Sequence, residues 1–464
     1  MRNRNEQTIC AISTPHGSGS ISVVRVSGPE AFSICKGLLL KTKNKEIVSH
    51  RAYYDFFYDL NNEKIDEILA TFFKRGRSFT GEDVVEISCH GSPFITKKIV
   101  NTLLEAGCVL AERGEFTFRA FMNGRIDLVQ AESVLSLVES SSQASAQLAL
   151  RQLEGKVSTA FLDIESELTW CLAHIEASID FSTEGLDIID NDILKNKLEN
   201  ILEKIQRLIR SYNAGRTLKD GIRVVLLGKP NAGKSSLLNL IVQQDKAIVT
   251  PVAGTTRDII EGETFYGGIK YSFSDTAGLR KTDDVVEQIG VSRTMKEAVS
   301  ADVVCFVLDV TKASSDLIKE LFEEIRPKKY FFILNKIDLV TAFDLAKLHQ
   351  EMTAWLPNCK SDHFLVTSVK NENSREAILA KIANLVGDSN HVNDAIISSA
   401  RQHESSLYSV QMIEKSLHDL GAGYGSEFIA LHLKEALVSI QKILGHQYDD
   451  QILDRVFKEF CLGK

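Results

Sequence analysis

One junction constrains this chain more than any other. The apolar run Arg223–Leu227 (RVVLL) passes directly into Gly228-Lys229-Pro230-Asn231-Ala232-Gly233-Lys234-Ser235, and a helix-like stretch, Ser236–Ile241, follows. A buried strand that ends in G-x-x-x-x-G-K-S and turns into a helix builds a phosphate cradle. Its glycines let successive backbone N–H groups wrap phosphate oxygens, and the helix N-terminus adds partial positive charge. In such a loop Lys234 reaches the β- and γ-phosphates, and the Ser235 hydroxyl binds Mg²⁺. An α/β nucleotide-binding fold is therefore expected over residues 221–387.

Three further boxes follow in order. Asp275-Thr276-Ala277-Gly278 comes after the strand-like Tyr271–Ser274 and matches the D-x-x-G that senses the γ-phosphate through the metal and a backbone amide. Asn335-Lys336-Ile337-Asp338 ends the apolar run Tyr330–Leu334. In an N-K-x-D box the aspartate accepts two hydrogen bonds, from guanine N1–H and the exocyclic amine. Adenine lacks that pair of donors, and an unpaired carboxylate is costly, so the box selects guanine. Ser368-Val369-Lys370 follows Phe364–Val366 and stands where GTPases usually carry S-A-K against the guanine oxygen. Between the first helix and the next strand, Thr250-Pro251-Val252-Ala253-Gly254-Thr255-Thr256 occupies the position of a first switch loop. There Thr256 or Thr255 could give Mg²⁺ its second hydroxyl, and ligation of this kind can hold a loop in the triphosphate state. After Gly278 comes Leu279, where Ras-like enzymes place the glutamine that orients water. An aliphatic side chain cannot hold a nucleophile, so the task passes to Asp283, Asp284 or Glu287, among which spacing does not choose.

The flanks read differently. Residues 1–120 look α+β, with strand-like runs at Ile21–Val26, Ala52–Tyr58 and Val84–Ser88. The G-x-G in Thr14–Ser20 lacks a third glycine and precedes a strand, so it is not read as a dinucleotide site. From Leu128 the pattern is helical, with Leu128, Ala131, Val134/Leu135 and Val138 on one face. Leu194, Leu198, Ile201, Ile205, Leu208 and Tyr212 form a narrow seam typical of a long helix in a bundle. Residues 401–461 are helical again, through Leu407, Val410, Ile413/Leu417 and Leu420, then Phe428, Leu431, Ala436, Ile440 and Ile443, with a break at Gly421–Gly425. The economical architecture is one helical domain built from both flanks with the α/β module inserted into it.

A net charge of -8 argues against a nucleic-acid coat of positive charge and leaves any RNA contact to a local surface. None of the eight cysteines forms a C-x-x-C pair, which fits reduced thiols in the cytoplasm better than a disulfide framework or zinc site. No signal peptide is evident, no run approaches the roughly 18 apolar residues of a membrane span, and Cys461 sits in a poor prenylation box. No membrane role is expected.

The outer motifs carry a resemblance. VVRVSG (23–28), FTGEDVVEISCHG (79–91), RGEFTFRAFMNGRIDLVQAES (113–133) and the terminus Phe460–Lys464, with GKPNAGKSSLLN, IVTPVAGTTRD, DTAGLR and NKID in the module, resemble the MnmE (TrmE) family of tRNA-modification GTPases along nearly the whole chain. The resemblance implies an α+β, folate-binding and dimerising N-terminal domain (1–120). It implies a discontinuous α-helical domain (121–220 and 388–464) and an inserted P-loop GTPase domain (221–387). It also implies a homodimer and a heterotetramer with the FAD protein MnmG, acting on carbon 5 of the wobble uridine in certain tRNAs. GTP, Mg²⁺, K⁺ and a 5-formyl- or methylene-tetrahydrofolate would be the cofactors. Residue by residue, the water-orienting glutamate falls on Glu287. The K⁺ ligands fall on Asn231, Thr250, Val252 and Thr255, and Mg²⁺ on Ser235 and Thr256. The folate contacts fall on Arg25, Glu86, Arg125 and Lys464. Cys461 is either a reactive thiol beside the folate or a small buried residue. A K⁺ beside the phosphates can act as an arginine finger does. A ribosome-assembly GTPase is the alternative, although such proteins usually append a compact basic RNA-binding domain.

Overall fold

Short alternating runs build the first sheet. In the computed structural model, β1 (Ile9–Ile12), β2 (Ile21–Ser27), β3 (Arg51–Tyr58), β4 (Lys64–Phe73), β5 (Val84–His90) and β6 (Val109–Leu110) lie in the order β3-β4-β5-β2-β1-β6. All neighbours are antiparallel except β1 and β6. The structure describes residues 6–180, 190–242, 262–275, 296–311, 316–327, 329–341, 350, 352, 361–371, 373–387, 395–448, 450–461 and 463. Because side chains alternate across a strand, Val24, Val26, Ile68, Ala70, Phe72, Val85 and Ile87 all reach one core. There they meet α1 (Ala31–Gly37) and, through Ile99 and Leu103, α2 (Pro93–Glu105). Each such fully buried side chain contributes about 1.5–3 kcal/mol. The other face carries Arg25 and Glu86, which are register partners. The sequence reading finds β2, β3 and β5 but not β4. In β4 the buried positions include Asp66 while Leu69 points outward, so the polar–apolar period is broken.

Helices α3 (Glu115–Met122), α4 (Leu128–Glu139), α5 (Gln143–Leu153), α6 (Lys156–Asp180) and α7 (Asn191–Asp220) follow. The seam expected on α7 is buried from Leu194 to Leu208, and Tyr212 is half-exposed. The α4 stripe needs a correction at its end. Leu128 and Ala131 are buried, whereas Val138 is exposed, because the helix stops at Glu139, one residue later.

The second sheet comprises β7 (Ile222–Leu227), β8 (Gly262–Tyr266), β9 (Ile269–Asp275), β10 (Val303–Asp309), β11 (Tyr330–Asn335) and β12 (Phe364–Val366), ordered β12-β11-β10-β7-β9-β8. Every pairing is parallel except β8 with β9. Parallel strands need crossovers; α8 (Lys234–Val242) lies between β7 and β8 and α9 (Asp316–Ile325) between β10 and β11, while α10 (Asn373–Val386) follows β12. The sheet is buried on both faces, which is why its strands read as unbroken apolar runs. Ile222, Val224 and Leu226 of β7 enter one core, while Val225 and Leu227 enter the other.

Three helices end the chain: α11 (Ala400–Ala422), α12 (Ser426–Leu444) and α13 (Asp450–Lys458). Gly423 closes α11 at φ 74°, in the left-handed region where glycine carries no Cβ penalty, and so makes the break expected there. The α12 stripe is corrected at its first turn. Phe428 and Leu431 are 57% and 53% exposed, while Ile429 (4%) and Leu433 (0%) begin the buried row that continues through Ala436, Ile440 and Ile443. Residues 1–139, 150–210 and 399–464 form one unit, and residues 140–149 and 211–398 form the other. The first unit is thus discontinuous in sequence and the second is inserted into it. No helix among the described residues is long and apolar enough to cross a membrane.

Candidate functional site

In an open parallel sheet, ligands gather outside the carboxyl ends of the strands, beside the point where strand order reverses. Here β7 ends in the Gly228–Ser235 loop, β9 in Asp275, β10 in Asp309, β11 in Asn335, and β12 just before Ser368. Parallel register puts these ends on one rim, since Leu226 pairs with Asp275 and Asp309 with Asn335.

The loop is held open by the N-K-x-D box behind it. Asn335 Nδ2 donates to the Ala232 carbonyl at 2.9 Å. Lys336 Nζ donates to the Asn231 carbonyl at 2.8 Å and to Asp309 Oδ2 at 2.6 Å. Gly233 lies at φ 95°, and a Cβ there would stand 2.3 Å from Asn335 Nδ2, so the tie requires glycine. Asn231 is also left-handed, at φ 64°. Lys234 is buried, and its ammonium donates to the carbonyls of Gly228 and Lys229 at 2.9 and 3.2 Å, curled within the loop whose phosphates it would serve. Ser235 and Ser236 are exposed on the first turn of α8.

The base-recognition end is assembled from two loops. Asp338 Oδ1 accepts from Ser368 Oγ at 2.8 Å, and its Oδ2 lies 2.7 Å from Lys370 Nζ. Lys370, then Ser368, hold the Asp338 carboxyl below its ordinary value, so it stays an acceptor. Ser374, in the first turn of α10, donates to the Ser368 carbonyl at 3.0 Å and fixes the loop, and Val369 packs partly buried against the core. Asp309 is a participant that the sequence reading missed. Burial pushes its carboxyl up, but Lys336 and Thr311 together hold it below its ordinary value. The available signal was its position at the end of a buried strand in register with Asn335. Thr250, Pro251, Val252, Ala253, Gly254, Thr255, Thr256, Thr276, Ala277, Gly278 and Glu287 lie outside the described residues.

A second polar cluster lies on the face of the first sheet opposite the core that packs α1 and α2. Arg25 Nη2 is 2.8 Å from Glu86 Oε1, and its Nε donates to the same oxygen at 3.0 Å. The guanidinium lies 5.2 Å from the Phe79 ring centre and 5.5 Å from that of Phe116, two cation–π contacts that no sequence motif announces. Arg125 is exposed and runs its stem beside Gly81, two residues after Phe79; a Cβ on Gly81 would stand 3.2 Å from Arg125 Cγ. The chain's end returns to this neighbourhood. Ser13 Oγ donates to the Gly463 carbonyl at 3.0 Å, and a Cβ on Gly463 would stand 2.1 Å from the Ile12 carbonyl oxygen. Ala11, beside Ile12, pairs with Arg25. Cys461 is exposed, unlike the other described cysteines, all buried and free; of its two expected settings, the buried one is thereby corrected. Its place between Phe460, which fills a core with Phe118 and Phe457, and the returning tail leaves it facing solvent. Lys464 lies outside the described residues.

Residues 128–461 match the family described as the MnmE helical domain, and residues 8–125 match that described as the GTP-binding protein TrmE N-terminus. The tRNA modification GTPase MnmE of Bdellovibrio bacteriovorus is 45% identical over 483 residues, spanning 100% of this chain and 98% of that protein. Those of Pseudothermotoga lettingae and Flavobacterium johnsoniae are each 37% identical. They span 98% and 99% of this chain, and 99% and 100% of their own lengths.

Proposed function

This chain belongs to the MnmE family of tRNA modification GTPases, and from that premise we propose a K⁺-dependent GTP hydrolase that works with an MnmG-type FAD protein. Together they install a 5-(carboxymethyl)aminomethyl-type group on the wobble uridine of certain tRNAs, in the cytoplasm. The one-carbon unit comes from a 5-formyl- or methylene-tetrahydrofolate. The observation that carries this reading is that one chain holds a guanine pocket and, separately, the Arg25–Glu86 cluster beside its own returning tail. The domain division in this reading is 1–120, 121–220, 221–387 and 388–464.

The residues suit the roles. A folate offers pterin N–H donors to a carboxylate such as Glu86, and glutamyl carboxylates to cations such as Arg25, Arg125 and Lys464. At the phosphates, Asn231 keeps its backbone carbonyl on Lys336 while the residue stands exposed at the loop's rim, where a side-chain oxygen can meet a cation. In this reading Thr250, Val252 and Thr255 would complete that K⁺ site, Ser235 and Thr256 would hold Mg²⁺, and Glu287 would orient the attacking water. Mg²⁺ and K⁺ supply charge neutralisation when bound; an arginine finger in that role is worth about 10³–10⁵ in rate. A homodimer is supported by the open sheet face. There the cross-strand row Tyr54–Leu69–Ser88–Val23 runs in register, with Tyr54 and Leu69 exposed on the side away from the helices. Uncovered apolar surface of this kind marks interfaces.

The test is steady-state GTP hydrolysis in KCl and in NaCl at equal ionic strength. The rate is expected to be at least about tenfold higher in K⁺, and Glu287→Ala to abolish turnover with GTP affinity nearly intact. Equal rates in both salts would remove the cation mechanism, and lost affinity would make Glu287 a structural residue.

A further inference from the structure

Arg119 heads the large side chains buried among the described residues, 2% exposed, on α3 one turn beyond Phe116. Its guanidinium holds two carboxylates. Nη1 donates to both oxygens of Glu82, at 3.2 and 3.1 Å, and to the Gln7 carbonyl at 2.9 Å; Nη2 donates to Glu115 Oε1 at 3.0 Å. Glu115 is 1% exposed, and its other oxygen accepts from the Glu112 amide at 2.7 Å. An ion trio this deep is a poor source of stability, since desolvation consumes most of the Coulomb attraction; buried charges of this kind are better understood as fixing one geometry.

The geometry fixed is that of the segment Ser78–Asp83. Glu82 also accepts from Ser27 Oγ at 2.7 Å, and Ser27 Oγ lies 2.7 Å from Thr80 Oγ1. Asn123 Nδ2, just past the end of α3, donates to the Thr80 carbonyl at 2.7 Å. Ser78 Oγ donates to the Glu82 carbonyl at 2.5 Å. The segment thus tied is the one whose Phe79 covers the Arg25 guanidinium and whose Gly81, at φ 81°, lies beneath the Arg125 stem. Ser27, which Glu82 holds, lies two residues along β2 from Arg25 and so on the same face of the sheet.

We propose that Arg119 and Glu82 are positioning residues for the Arg25–Glu86 cluster: the ion pair between buried Arg119 and partly buried Glu82 sets the Ser78–Asp83 segment, and through it the spacing between Arg25 and Arg125. This rests on the reading of that cluster as a folate site. Two cations held at a fixed separation suit a ligand with a dianionic tail. Loss of the tie therefore costs affinity for the tail and spares the ring.

The experiment is calorimetric titration of the full chain with 5-formyltetrahydrofolate and with a tail-less tetrahydropterin, in the wild type, Glu82→Gln, Arg119→Lys, Arg119→Met and Asn123→Ala. Glu82→Gln is expected to weaken the folate at least tenfold, with the pterin bound as by the wild type and GTP turnover unchanged. Arg119→Lys, which keeps the charge but not the fork that serves both carboxylates, should fall between wild type and Arg119→Met. Asn123→Ala cuts a different tie to the same segment outside the buried core, and should lose several-fold on folate alone even if the core variants fail to fold. Equal folate affinity in wild type, Glu82→Gln and Asn123→Ala overturns the positioning role. Parallel loss of folate and pterin makes the network merely structural, and also overturns it. A wild type that binds neither compound removes the folate reading itself, and the inference with it.

Discussion

Asp338 discriminates between purines by what it accepts. Its carboxylate is held ionised by Lys370 and Ser368, and guanine would supply two N–H donors in their place. Asp338→Asn replaces one acceptor oxygen by a donor, which suits the second carbonyl of xanthine. GTP affinity should drop at least about 100-fold, roughly 3 kcal/mol, while XTP affinity rises; competition against a fluorescent nucleotide reads both. Lys336 acts on the loop rather than the base, bridging Asn231 and Asp309. Because Lys336 helps to depress the Asp309 carboxyl, the stability this pair contributes is full above the ordinary 3.8 and is lost as pH falls through the lower folded value. Lys336→Met should therefore destabilise the nucleotide-binding unit by about 1–2 kcal/mol near neutrality, and urea unfolding should show the gap to wild type closing below pH about 4. A gap that does not change with pH would detach Lys336 from Asp309.

At the scale of elements, the two faces of α12 offer a direct contrast. Ile440 is fully buried and Phe428 stands mostly in solvent. Ile440→Ala is expected to cost about 2–5 kcal/mol, and Phe428→Ser to stay within about 0.5 kcal/mol; thermal denaturation separates them. The reverse order would restore the sequence-based stripe. That stripe failed because Phe428 and Leu431 match a three-residue step as well as Ile429 and Leu433 match a four-residue one, and composition does not choose between them. Where a strand is buried on both faces, as β7 and β11 are, no such choice arises, and these elements were legible to within a residue or two. The nucleotide boxes were legible because backbone geometry demands particular residues, as Gly233 shows. Asp309, Phe79, Phe116 and Arg119 were not. They act through contacts between segments far apart in sequence, and no local spacing announces such contacts. β4 was hidden by its inward Asp66, whose oxygens accept from the His90 amide and ring nitrogen at 2.8 and 2.7 Å.

For the whole molecule, the Arg25–Glu86 cluster lies in one unit and the guanine pocket in the unit inserted into it. Under the proposed function both serve one product, a modified wobble uridine made at the expense of GTP. The most direct measurement is mass spectrometry of wobble nucleosides from a strain deleted for this gene and complemented with the wild-type chain or with Asp338→Asn. The predicted result is loss of the 5-(carboxymethyl)aminomethyl-type nucleoside on deletion, its return with the wild type, and no return with Asp338→Asn. An unchanged nucleoside profile in the deletion strain would contradict the account and favour a GTPase that acts in ribosome assembly.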